Sequence, residues 1–149
     1  LNIPVDECKI FSTAVTDCYK ELNLNIWDKK EDRNASLFKG KQVGGEFDRS
    51  VLVEVVPFGV ILQDAFDAYG FIDIVKMNIE GAEYECFDSV EETMLNNVGQ
   101  FLIQIHGKIN NHHPNDILTK LQRAGFVAFP SAVKNDSRFV ALAINKKLL

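Results

Sequence analysis

Two apolar runs, and the distance between them, constrain this chain most. FIDIVKMNI (71–79) and QFLIQIH (100–106) carry apolar residues at positions of both parities, as strands covered on both faces do. Roughly twenty residues separate them, too many for a hairpin and enough for a crossover helix. The intervening AEYECFDSV places Ala82, Cys86 and Val90 at i, i+4 and i+8, an inward helical stripe. A second helical segment, HPNDILTKLQRAG, follows the second run. It has Pro114 near N1, Asp116 in its first turn, Arg123 in its last and Gly125 just past its end. Strand, helix, strand, helix over 71–125 predicts two adjacent parallel strands in the middle of a sheet, joined by right-handed crossovers. The fold class is therefore α/β.

The remaining segments add to that frame. CKIFSTAV (8–15) reads as a strand, and KELNLNIWD (20–28) alternates strictly, with Leu22, Leu24 and Ile26 on one face and Asn23, Asn25 and Trp27 on the other. Residues 29–50 are polar and contain Gly40, Gly44 and Gly45, which reads as a loop. VLVEVV (51–56) is a short strand, and Pro57 leads into FGVILQDAFDAYG, an amphipathic helix that Gly70 terminates. FVAF (126–129) and FVALAI (139–144) close the chain as two further strands. With 149 residues, one domain accounts for the whole, enough to bury roughly 70% of the unfolded surface.

Charge and cysteine content narrow the function classes. A net charge of −5 gives no basic footprint for nucleic acid. No apolar run reaches the ~20 residues of a membrane span, and no basic and apolar leader opens the sequence. Cys8, Cys18 and Cys86 are odd in number and lack metal-ligand spacing. They read as reduced thiols, buried as small hydrophobes, in a reducing and cytoplasmic setting.

The chemistry gathers at one seam. In open α/β sheets ligands sit beyond the carboxyl ends of the strands. The first apolar run ends in Asn78 and Glu80, the second in Gln104 and His106. Gly81 permits the tight turn from strand to helix.

KMNIEGAEYE (76–85), followed about twenty residues later by FLIQIHG, resembles the FkbM-type S-adenosylmethionine-dependent methyltransferases. That family ends one strand in Lys-x-Asp-x-Glu-Gly-x-Glu and the next in Glu-x-His. Lys76, Glu80, Gly81, Glu83 and His106 stand in matching positions. STAVTD (12–17) is similar to the segment whose small residue lines the family's adenine pocket. The resemblance implies a partial Rossmann-like, class I methyltransferase-like sheet of three layers, mostly parallel with an antiparallel closing strand. It implies S-adenosylmethionine as cofactor, a small-molecule or glycan hydroxyl as acceptor, and Glu80 and His106 as the catalytic pair. Ala14, Val15, Thr16 and Asn78 would line the cofactor, and no metal is implied. Two positions depart from the pattern: Asn78 replaces the aspartate and Gln104 the glutamate of the second strand. An amide keeps the shape but is no general base and a weak ligand for a hard cation. The family's glycine-rich turn and ribose-binding acid have no counterpart in these 149 residues. The expectation is thus a C-terminal portion of such a domain, weak in cofactor binding by itself and prone to self-association through an exposed sheet edge.

Each residue also has a plainer reading. Glu80 and Glu83 serve equally as helix-start carboxylates, His106 as a strand-end histidine bonded to backbone, and His112 and His113 as residues leading into the last helix. Lys76 reads as a snorkelling or ion-paired side chain, and Trp27 and Phe38 as core or lid. Beside methyl transfer stand two other classes: a catalytically degenerate binding module, and an unrelated α/β domain for a ligand such as a nucleotide.

Overall fold

The chain's turn chemistry places its helices where the pattern predicts them. In the computed structural model, which describes residues 8–29, 32–37, 49–107, 111–131 and 138–149, helix α1 runs Phe58–Tyr69 directly after Pro57. It stops at Gly70, whose φ of 75° lets its N–H reach back to the Phe66 carbonyl at 2.7 Å. Helix α2 spans Glu83–Asp88, α3 Glu92–Leu95 and α4 Pro114–Arg123. Residue His113 caps α4 reciprocally: its ring Nδ1 accepts from Asn115 N at 3.2 Å, while Asp116 Oδ2 accepts from His113 N at 2.7 Å. The sequence pattern did not show α3, a single turn, nor that α2 ends at Asp88 before Val90.

Strands β1 (Ala14–Thr16), β2 (Lys20–Lys29), β3 (Asp32–Ser36) and β4 (Arg49–Pro57) form one sheet in the order β1-β4-β2-β3. Strands β5 (Ile72–Met77), β6 (Val98–His106), β7 (Phe126–Pro130) and β8 (Arg138–Asn145) form a second in the order β5-β6-β8-β7. The expected adjacent parallel pair is present, with Ile74 opposite Gln100 and Met77 opposite Ile103. The expected mostly parallel sheet is not. Among the described residues only β1–β4 and β5–β6 are parallel, and β2–β3, β2–β4, β6–β8 and β7–β8 are antiparallel. Parallel neighbours need a crossover, which β5–β6 has through α2 and α3, whereas β2–β3 and β7–β8 pair strands that are consecutive in the chain and run antiparallel.

Three further expectations change. Strand β5 lies at the edge of its sheet, not in the middle, and Ile74 is 54% exposed on it. Within 8–15 only the last residues pair, alongside Val55 and Val56 of β4; Ile10 and Phe11 stand exposed. Part of the expected loop is strand β3, which pairs with Asn25–Lys29; residues 38–48, Phe38 included, and the side chain of Trp27 lie outside the described residues.

The core lies on one face of the second sheet. Phe101, Ile103 and Ile105 of β6 are fully buried there with Ala141 and Ala143 of β8, under Leu62 of α1, Cys86 and Phe87 of α2 and Ile117 and Leu121 of α4. A line of rings crosses the layers, with centroids 6.0 Å apart for Phe58–Phe87, 5.6 Å for Phe87–Phe101 and 5.4 Å for Phe101–Phe126. Each such pair adds ~0.5–1.5 kcal/mol beyond burial. The opposite face carries Ile74, Leu102, Phe129 and Val140, all exposed. Among the described residues the sheet is thus covered by helices on one side, two layers where three were expected. Cys86 is buried as expected, but Cys8 and Cys18 are exposed, and all three are free thiols. Lys76 is exposed, without an ion pair among the described residues.

Candidate active site at the carboxyl ends of two parallel strands

The seam is built by a backbone reversal. Beyond β5 the chain turns into α2 within a few residues, and the turn needs left-handed backbone at Glu80 (φ 51°) and Gly81 (φ 107°). Glycine takes this freely; at Glu80 it costs about 1–2 kcal/mol. The turn is held by Ala82 N donating to Ile79 O at 3.3 Å, and by Ser36 Oγ of β3 donating to Glu80 O at 3.0 Å. A non-glycine residue kept in this conformation beside ionisable neighbours points to a site rather than a connection.

The reversal brings two carboxylates to one imidazole. His106, the last residue of β6, is 6% exposed, and its Nδ1 lies 2.9 Å from Glu83 Oε1. Its Nε2 lies 3.1 Å from Glu80 Oε2, within ion-pairing range but off the line of a hydrogen bond. Glu83 is wholly buried in the first turn of α2, and its Oε1 also accepts from Ile79 N at 3.3 Å. Glu83 Oε2 and His106 Nε2 are buried without a hydrogen-bond partner among the described residues.

The surroundings fix this group. Tyr84 donates its hydroxyl to the His106 carbonyl at 2.7 Å and stands 3.0 Å from that of Gly107. Its ring stacks on His112, whose Nδ1 is 3.6 Å from Asp88 Oδ2. Burial, then the charges of Glu83 and Asp116, raise the Tyr84 hydroxyl far above the ordinary tyrosine range, so it stays a donor. Burial by itself would lower the His106 imidazole. The hydrogen bond to Glu83 and the charges of Glu83 and Glu80 outweigh it, against Arg138 paired across on β8, and the net effect is a raised pKa. Burial likewise pushes the Cys86 thiol up, which leaves it unreactive.

Of the residues read from sequence, the structure joins Glu80 and His106. Asn78 is exposed and Gln104 half-buried, and neither side chain is hydrogen-bonded among the described residues. Ala14 and Val15 are half-buried on β1, while Thr16 is fully buried with its hydroxyl donating to Asp17 Oδ1 at 3.0 Å. Lys20 holds Asp17 at 2.7 Å and lies 3.9 Å from Glu85 of α2. Asn78 faces solvent, and no hydrogen bond links it to β1 among the described residues. No group of three or more His, Cys, Asp or Glu placed to hold a metal ion occurs among the described residues. Sequence reading missed the part of Glu83, although Glu83, Cys86, Phe87 and Val90 stand at i, i+3, i+4 and i+7 and all are buried. A glutamate on an apolar stripe was the available signal.

Residues 7–128, most of the chain, match the family model described as the methyltransferase FkbM domain, and the chain belongs to that family. No curated protein and no solved structure matched. No described helix is long and apolar enough to cross a membrane.

Proposed function

We propose that the protein methylates a hydroxyl of a small molecule or glycan, with S-adenosylmethionine as methyl donor, and that residues 1–149 form the C-terminal portion of its FkbM domain. The observation that carries this reading is the meeting of Glu80 and His106, 3.1 Å apart at the carboxyl ends of neighbouring strands, within a family of methyltransferases. The cofactor supplies an electrophilic methyl group. This chain's residues handle the proton: as the acceptor oxygen reacts, its hydrogen passes to His106 Nε2, beside the half-buried Glu80 Oε2. Free thiols at Cys8 and Cys18 suit a reducing compartment. With the outer edge of β5 unpaired among the described residues, the isolated chain should self-associate; sedimentation as a clean monomer at high concentration would count against that.

The second reading is a degenerate module that binds its ligand without turnover. The amides Asn78 and Gln104 favour it, since both replace acids of the family pattern. Transfer of a labelled methyl group by the full-length protein separates the two. Glu80→Gln and His106→Ala should each abolish most transfer; if both retain it, the site lies elsewhere. Asn78→Asp with Gln104→Glu should raise activity if the site is a weakened one.

A further inference from the structure

We infer that Glu83 is the positioning residue of this site: it holds His106 by Nδ1 so that Nε2 is the atom presented to the acceptor hydroxyl. The inference rests on the methyl-transfer reading above and adds a residue to it.

The geometry is specific. Glu83 Oε1 is fixed from two sides, by Ile79 N at 3.3 Å and by His106 Nδ1 at 2.9 Å. A carboxylate at Nδ1 selects the neutral tautomer with its proton there, which leaves the lone pair on Nε2. That nitrogen is buried and lacks an aligned partner among the described residues, so a ligand hydroxyl can take the place. Burying a charged carboxylate completely is expensive, and a structural cap needs no charge. Glutamine would fill the same volume and accept the same bond. The charge matters when the imidazole becomes cationic: the O–H bond of the acceptor breaks, its electron pair stays on oxygen, and Nε2–H forms. Glu83 at Nδ1 and Glu80 near Nε2 offset the new charge. Among the described residues, the charged and titratable groups facing His106 from its neighbours are Glu80 in the turn, Glu83 and Tyr84 on α2, and Arg138 on β8.

Nitrogen NMR of the imidazole and steady-state kinetics on the full-length protein test this together. In the wild type, neutral His106 should carry its proton on Nδ1. Glu83→Gln should lower kcat at least about tenfold, part of the ~10²–10⁴ a positioned base contributes, with little change in KM. It should also move the His106 limb of the pH–rate profile to lower pH, and Glu83→Asp should restore part of both. A wild-type proton on Nε2 overturns the inference without any variant, which covers the case of a Glu83→Gln protein that does not fold. Folded Glu83→Gln with wild-type kcat and pH limb, while His106→Ala is inactive, overturns the positioning role and leaves the proposed function standing. Full turnover by His106→Ala places the site elsewhere and overturns the inference with it, whereas absence of methyl transfer by the wild-type protein overturns the proposed function.

Discussion

The two ends of strand β6 bury polar side chains in opposite ways. At its amino end Asn145 is 2% exposed and fully engaged: Nδ2 donates to Asn96 O at 3.2 Å and Val98 O at 2.9 Å, and Oδ1 accepts from Lys147 N at 3.1 Å. At its carboxyl end Glu83 and His106 are as deeply buried, yet each keeps an atom without a hydrogen-bond partner among the described residues. An orphaned buried polar atom costs about 1–3 kcal/mol. Asn25 Nδ2 on β2 is a third such atom among the described residues, so incomplete pairing is not confined to this end, but along β6 it marks the end where the proposed site lies.

Substitutions at the two ends should therefore fail differently. The largest expected effect is on chemistry: His106→Ala in the full-length protein should lower methyl transfer about a hundredfold or more, measured at saturating acceptor, while the protein stays folded. Asn145→Ala should do the reverse. It strands the carbonyls of Asn96 and Val98 and should cost about 2–3 kcal/mol in a denaturant titration, with turnover per folded molecule retained. Loss of turnover there at unchanged stability would dissolve the contrast.

A smaller effect is pH-dependent. The folded His106 pKa is raised above the ordinary 6.5, so the folded state binds the proton more tightly than the unfolded one. Its contribution is complete below pH 6.5 and is lost as pH rises through the folded pKa. Urea titrations across neutral pH should show wild-type stability falling over that window and His106→Ala without that slope. Asn145→Ala should keep the wild-type slope. The smallest effect concerns the strained turn: Glu80→Gly should gain up to about 1 kcal/mol from the relieved φ, reduced by the greater freedom of unfolded glycine, while transfer falls sharply. A destabilised Glu80→Gly would mean that the left-handed residue is not under strain.

Several elements were legible because their causes are local. Helix α1 lies between Pro57 and Gly70, and α4 between its His113 cap and Gly125, because caps and turn residues act over a few positions. The parallel pairing of β5 with β6 followed from the length of the segment between them, and Glu80, Gly81 and His106 were marked by where their strands end. Other features depend on a partner distant in sequence. Strand β1 forms by pairing with Val55–Pro57 of β4, far along the chain. The mixed pairing of both sheets is likewise a matter of which edges meet. The left-handed Glu80 is secured by Ser36, 44 residues away, and the Glu83–His106 pair spans 23 residues. The sequence by itself determined which residues are ionisable, where the strands stop and how the helices are punctuated. Only the tertiary structure decided that Glu83 meets His106 at Nδ1, because that contact exists only once α2 has packed against the end of β6.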